Sequence, residues 1–192
     1  MVGVGLPNLL SFGGTVKLTR FLGGGLNFGL IPTMHLSFYG DATLAYKEVD
    51  IYGRIYPFGG SLFLGAGVGY ETVSGSLSSQ INAAAYAKEL ALLGLSSTID
   101  YESRASVRTL VLTPQLGFLK MLGLGFAIGM DVGAQIPIAP SQIEFERTVS
   151  SSLPQGVVDQ YLAPNDQKVR DSLEKIGRTP IPTVNLRLAW LL

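Results

Sequence analysis

Leu124-Gly125-Phe126-Ala127-Ile128-Gly129-Met130-Asp131-Val132-Gly133-Ala134-Gln135-Ile136 decides the fold. Leu124, Phe126, Ile128, Met130, Val132, Ala134 and Ile136 share one parity and are all apolar; Gly125, Ala127, Gly129, Asp131, Gly133 and Gln135 share the other and are small or polar. Side chains of a strand alternate between its two faces, so this is one long strand with an apolar side and a polar, glycine-rich side. Strands of this kind show lipid on one face and a polar lumen on the other.

The composition agrees. Charged residues make up 15% of the 192 positions, 14 Lys and Arg against 14 Asp and Glu, and there are 24 Gly and no Cys. A soluble domain carries about 25% charge, so with a mean hydropathy of +0.34 too little polar surface remains for an ordinary water-facing skin. Zero net charge argues against a nucleic-acid partner, whose phosphates need surplus Lys and Arg. Disulfides and Cys-based metal sites are excluded. The longest run without Asp, Glu, Lys or Arg, Phe21 to Gly40, is long enough to span a bilayer as a helix but contains Gly23, Gly24, Gly25, Gly29 and Pro32. Without a helix, only a closed barrel satisfies every backbone group in hydrocarbon. Met1 to Gly5 lacks a basic stretch and a continuous apolar run, so the sequence reads as a mature chain with an initiator methionine.

The same alternation recurs outward from residues 124–136. Tyr46, Glu48, Asp50, Tyr52, Arg54 and Tyr56 oppose Lys47, Val49, Ile51, Gly53 and Ile55; Leu62, Leu64, Ala66, Val68 and Tyr70 oppose Phe63, Gly65, Gly67, Gly69 and Glu71. Val184, Leu186, Leu188, Trp190 and Leu192 oppose Thr183, Asn185, Arg187, Ala189 and Leu191. Seven strands are predicted, at about 10–20, 25–33, 44–57, 61–75, 105–118, 123–137 and 182–192. Such barrels have even strand counts, and Val2 to Leu6, before a Pro7-Asn8 turn, supplies the eighth. The expectation is an all-β, transmembrane, antiparallel up-and-down β-barrel of 8 strands, one domain over residues 1–192. Three short turns share one plan, an apolar or aromatic pair before glycine, at residues 20–24, 56–60 and 120–123. Long connections are expected at about 76–104 and 138–181, with short helices at Ile81 to Leu95 and Asn165 to Ile176. Short turns at one end and long loops at the other match periplasmic turns and extracellular loops.

An eight-stranded barrel is just wide enough for side chains to fill. The lumen parity brings together Lys17, Arg54 and Arg187 with Glu48, Asp50 and Asp131, which must pair because an isolated buried charge costs several kcal/mol, to order of magnitude. Gly65, Gly67, Gly69, Gly125, Gly129 and Gly133 leave one lumen wall without side chains, to be filled by Tyr46, Tyr52 and Tyr56, a loop helix or an apolar ligand, the tyrosines first. Catalytic signals are weak. The single histidine, His35, sits near Ser37 and Asp41, but spacings of two and six along one segment do not make a triad. No catalytic residue, metal site or cofactor is assigned.

These residues resemble the small outer-membrane β-barrel proteins of Gram-negative bacteria: the Tyr56-Pro57-Phe58-Gly59-Gly60 hairpin leading into Phe63 to Tyr70, and the closing Val184 to Leu192 strand. The resemblance implies an outer-membrane location, with lipid and lipopolysaccharide around the belt. Tyr70 and Trp190 would lie in aromatic girdles at opposite interfaces. It also implies barrel-assembly machinery reading the last strand, although here Trp190 is followed by Leu191 and Leu192. The first functional expectation is a largely plugged barrel with a structural or surface-interaction role through its long loops, not an enzyme, with an extracellular or envelope protein as the open partner. The alternative is a narrow conduit or binding site for small or apolar compounds. Less favoured are a soluble lipid-binding barrel and an outer-membrane lipid-modifying enzyme.

Overall fold

Alternation at the level of residues becomes alternation of up and down strands. The computed structural model describes residues 1–37, 41–82, 98–123, 126–150 and 155–190. Among the described residues nine strands run in chain order: β1 (Val2–Leu6), β2 (Leu10–Lys17), β3 (Leu22–Ser37), β4 (Asp41–Ile55), β5 (Leu62–Asn82), β6 (Thr98–Gly123), β7 (Phe126–Pro137), β8 (Gln142–Ser150) and β9 (Ile181–Trp190), with a helix, α1 (Gln155–Arg178), between the last two. All pairings are antiparallel. The order β5-β4-β3-β2-β1-β9-β7-β6 is closed by β5 on β6, giving an eight-stranded barrel, and β8 lies on β6 beyond the end of β7. Closure removes the edges that hydrocarbon would leave unsatisfied. Among the described residues no helix is long and apolar enough to cross a membrane.

One parity of every barrel strand faces outward and is apolar. Val4, Phe12, Leu26, Ile51, Leu64, Leu116, Ile128 and Leu188 are exposed to between 42% and 63%. Exposed apolar area on this scale marks a membrane surface. On β5 the belt runs from Leu62 to Tyr70. At about 3.4 Å per residue and a tilt of about 40° it spans about 23 Å, the height of an outer-membrane hydrocarbon band.

Above this belt the barrel is lopsided. The β1–β2 turn at Pro7 to Leu9 closes level with the top of the belt, whereas β5 and β6 stay paired from Leu62 opposite Phe118 to Asn82 opposite Thr98. The described parts of the connection expected at 76–104, residues 76–82 and 98–104, are therefore strand. The ladder continues because antiparallel pairing needs no apolar face. The hydropathy signal fades at Ser74-Gly75-Ser76 because the outward face has left lipid. Ile81 and Asn82 of the expected first helix end β5, and residues 83–97 lie outside the described residues.

The connection expected at 138–181 contains β8, whose Ile143, Phe145, Arg147 and Val149 alternate with Gln142, Glu144, Glu146 and Thr148. It pairs with β6 from Val107 opposite Ile143 to Asp100 opposite Ser150. The helix expected at 165–176 starts ten residues earlier, at Gln155, and passes through Pro164; a proline's missing N–H is what favours a boundary there on sequence alone. Upper β3, β4, β5, β6 and β8 thus form a wing above the membrane. A shift in β3 between Ile31 and Met34 puts Met34 opposite Leu44 on the inner face and His35 opposite Thr43 on the outer. The inner face carries Leu44, Val73, Val107, Ile143 and Phe145; α1 leans on it through Arg147 with Asp166 and Arg170 over the Phe145 ring at 5.2 Å.

Candidate functional site

The inward parity concentrates polar groups in the lumen, in two clusters. The middle one centres on Asp131 of β7. Its carboxylate accepts Asn185 Nδ2 at 2.9 Å, Arg187 Nη2 at 3.2 Å and a short bond from Arg187 Nε, while Arg54 Nη2 lies 3.8 Å away. Arg187 Nη1 also donates to Asn27 Oδ1 at 3.5 Å, and Asn27 Nδ2 donates to Asp50 Oδ2 at 2.9 Å. One chain of contacts thus links Arg54, Asp131, Arg187, Asn27 and Asp50 across β4, β7, β9 and β3. Arg54 makes no hydrogen bond through Nε, Nη1 or Nη2. Its guanidinium instead lies between two aromatic faces, 4.4 Å from the Tyr52 centroid and 4.1 Å from Phe63, where ring quadrupoles offset part of the lost hydration.

The upper cluster is acidic. Gln135 Nε2 donates to Glu48 Oε1 at 2.6 Å, Asn8 Nδ2 makes a short bond to Glu48 Oε2, and Tyr46 Oη bridges Gln135 Oε1 at 3.1 Å and Glu71 Oε2 at 3.4 Å. Glu48 and Glu71 are directly opposite across β4 and β5. Among the described residues neither has a cation within ion-pair distance. Below both clusters Tyr56 meets Phe63 edge-on, ring centroids 5.8 Å apart. Arg54 and Tyr56 are 1% exposed, Phe63 2%, Asp131 1% and Arg187 3%.

No protein-family model and no curated protein sequence matches the chain. The solved structures similar to it include two crystal structures from one organism. CarO of Acinetobacter baumannii superimposes with a TM-score of 0.55 at 13% identity, over 100% of this chain and 95% of that one. CarO2 of the same organism gives 0.50 at 10% identity, over 98% and 96%. At such identities the likeness concerns the fold, and it spans the whole of it. The chain is a closed eight-stranded antiparallel β-barrel with a lipid-facing apolar belt.

Within this barrel five of the six proposed network residues, Glu48, Asp50, Arg54, Asp131 and Arg187, are buried lumen groups. Lys17 is not among them. It ends β2 at the short-turn rim, where Nζ lies 4.2 Å from the Tyr56 centroid and donates to the Gly60 carbonyl at 3.4 Å. Glu71 takes the sixth place, so the interior holds four carboxylates to two guanidiniums rather than three to three. Asn27 and Asn8 are not evident from the sequence as members of these clusters; Asn8 comes from the turn, where an asparagine normally caps its own loop.

The glycine wall is covered by neighbours. A Cβ on Gly65 would come within 3.1 Å of Arg54 Cγ, on Gly67 within 3.4 Å of Asp50 and Tyr52, on Gly69 within 2.6 Å of Asp50 Cβ. Gly129 lies against Leu119, Gly133 against Thr183, and Gly125 falls outside the described residues. Two further glycines do the same: Tyr52 Oη lies over Gly25 and Asn8 over Gly29. Tyr70 is 54% exposed at the top of the belt opposite Val49 and Leu110; Trp190 ends β9, its side chain outside the described residues. His35 is exposed on the outer face of the wing, opposite Thr43.

Proposed function

We propose that this protein is a non-catalytic outer-membrane scaffold whose lumen is closed by its own side chains and whose extracellular wing presents an interaction surface to another envelope or extracellular protein. The supporting observation is the burial of the middle cluster. In a water-filled channel the lining side chains are wet, whereas Arg54, Asp131 and Arg187 have almost no exposure and meet rings and carboxylates. The projecting β5–β6 pair and β8 raise polar surface about 30 Å above the belt at the rise and tilt used above, far more than closing a barrel requires. Assembly is expected to use β9 as the segment read by the insertion machinery.

A second reading, a narrow conduit for small compounds, draws on Thr113 Oγ1, Gln115 Oε1 and Thr183 Oγ1, which are buried without hydrogen-bond partners beside Gly65, Gly67 and Gly133. Reconstitution into planar bilayers separates the two. The scaffold reading predicts no steady single-channel openings at physiological salt. Reproducible openings that change with Arg54→Ala would overturn the plug in favour of the conduit.

A further inference from the structure

The outer face of the wing is as regular as the lumen. In register across β4, β5 and β6, Val49, Tyr70 and Leu110 form the last apolar row. The next outward-facing row is Lys47, Thr72 and Arg108, followed on β8 by Gln142. Lys47 and Arg108 are exposed, and neither has an ion pair or hydrogen bond to any described residue. Four arginines of this end are engaged: Arg104 on Glu102, Arg147 on Asp166, Arg178 on Glu174, Arg170 on Phe145. Two unpaired cations therefore lie in one register row, one step along the strands beyond the girdle tyrosine. Separated by the strand that carries Thr72, they are about 10 Å apart at Cα, close enough for both side chains to reach one phosphate.

Directly above this row the surface becomes a cleft of about 380 Å³, floored by Ser74, Ser76, Ser106 and Thr43, with Arg104 and Glu144 at its side. Hydroxyls and a carboxylate of this kind hydrogen-bond sugar hydroxyls, while Glu144 and Glu146 repel a phosphate and leave Lys47 and Arg108 as its place. Apolar surface for acyl chains, a cation pair at headgroup level and a polar cleft above it match, in order, the parts of one molecule of the outer leaflet. We propose that Lys47, Thr72 and Arg108 seat a phosphate of lipid A, with its attached sugars entering the Ser74–Ser106 cleft.

The proposal rests on the orientation given above, with the wing outside the cell, and is independent of whether the lumen conducts. Native mass spectrometry of the full chain in detergent tests it, titrating bisphosphorylated lipid A, the same lipid A dephosphorylated, and phosphatidylglycerol. The expected result is preferential retention of the phosphorylated lipid A. In the Lys47→Ala/Arg108→Ala double variant that binding weakens by about tenfold to thirtyfold, while Lys47→Arg/Arg108→Lys keeps it. Each single alanine variant loses part of it, and the heat-induced gel shift confirms that all variants are folded. Equal retention of phosphorylated and dephosphorylated lipid A, or an unchanged preference in the double variant, overturns the site. Preference for phosphatidylglycerol overturns both the site and the orientation, but leaves the plugged lumen to the conductance measurement.

Discussion

Asp131→Ala is expected to cost the barrel about 3–5 kcal/mol, the largest loss from removing any one lumen charge. Asp131 is the carboxylate that holds two guanidiniums, accepting from Arg187 on both oxygens and lying 3.8 Å from Arg54. Its removal strands both cations where exposure is 1% and 3%, and it also frees Asn185 Nδ2. Arg54 has no hydrogen bond of its own to fall back on, and the aromatic faces of Tyr52 and Phe63 supply only part of a counter-charge. Asp131→Asn should cost less, since an amide oxygen still accepts from Arg187. Asp131→Ala/Arg187→Met should recover part of the loss by removing one stranded charge, a coupling that a double-mutant cycle measures. Urea unfolding in lipid vesicles and the temperature of the heat-induced gel shift report the order. If Asp131→Ala and an exposed control such as Glu102→Ala unfold together, the charge chain is not a stabilising element.

The lumen could be read from sequence because parity is conserved wherever one face meets lipid and the other does not. Glu48, Asp50, Arg54, Asp131 and Arg187 are each one face away from a run of apolar neighbours, and that contrast located them. The contrast fails at strand ends. Lys17 has lumen parity, but it ends β2 at the rim, where a flexible cation reaches water and Tyr56 instead. Glu71 shared parity with Gly67 and Gly69, yet it sat next to Thr72 and Ser74, where the apolar face was already fading. The wing was lost for the same reason. Upper β5 is serine-rich on the outside and upper β6 is mostly charged there, and the pairing of Ser76 with Arg104 carries no hydropathy signal. In β8 the alternation of Ile143, Phe145 and Val149 was present, but its inward positions include Arg147, whose partner Asp166 comes from α1. The lateral pairing of Lys47 and Arg108, 61 positions apart in sequence, requires the β4–β5–β6 register and is invisible without it.

Gly117→Val and Gly53→Val should behave oppositely, although both replace glycine in a barrel strand with the same β-branched residue. Gly53 faces lipid on β4, and nothing lies within 4 Å of the position a Cβ would take. A valine there joins the apolar belt and favours strand backbone, so its effect on stability should stay within about 0.5–1 kcal/mol. Gly117 faces the lumen on β6. Its Cβ would come 2.4 Å from the Met130 carbonyl oxygen, 2.7 Å from Phe63 Cζ and 2.8 Å from Asp131 Cβ. None of these three can step aside alone. The carbonyl belongs to the neighbouring strand, Asp131 is held by Arg187 and Asn185, and Phe63 is packed against both Arg54 and the edge of Tyr56. Overpacking of a core normally costs about 1–3 kcal/mol, and more where backbone must move, so Gly117→Val should lose more than about 3 kcal/mol or fail to give the folded band. Folding into vesicles followed by the heat-induced gel shift compares the two variants directly. Equal tolerance would mean that the lumen wall at Gly117 is open space, and with it the side-chain plug would fall. Loss confined to Gly117→Val would mean that the glycines admit large neighbours rather than a ligand.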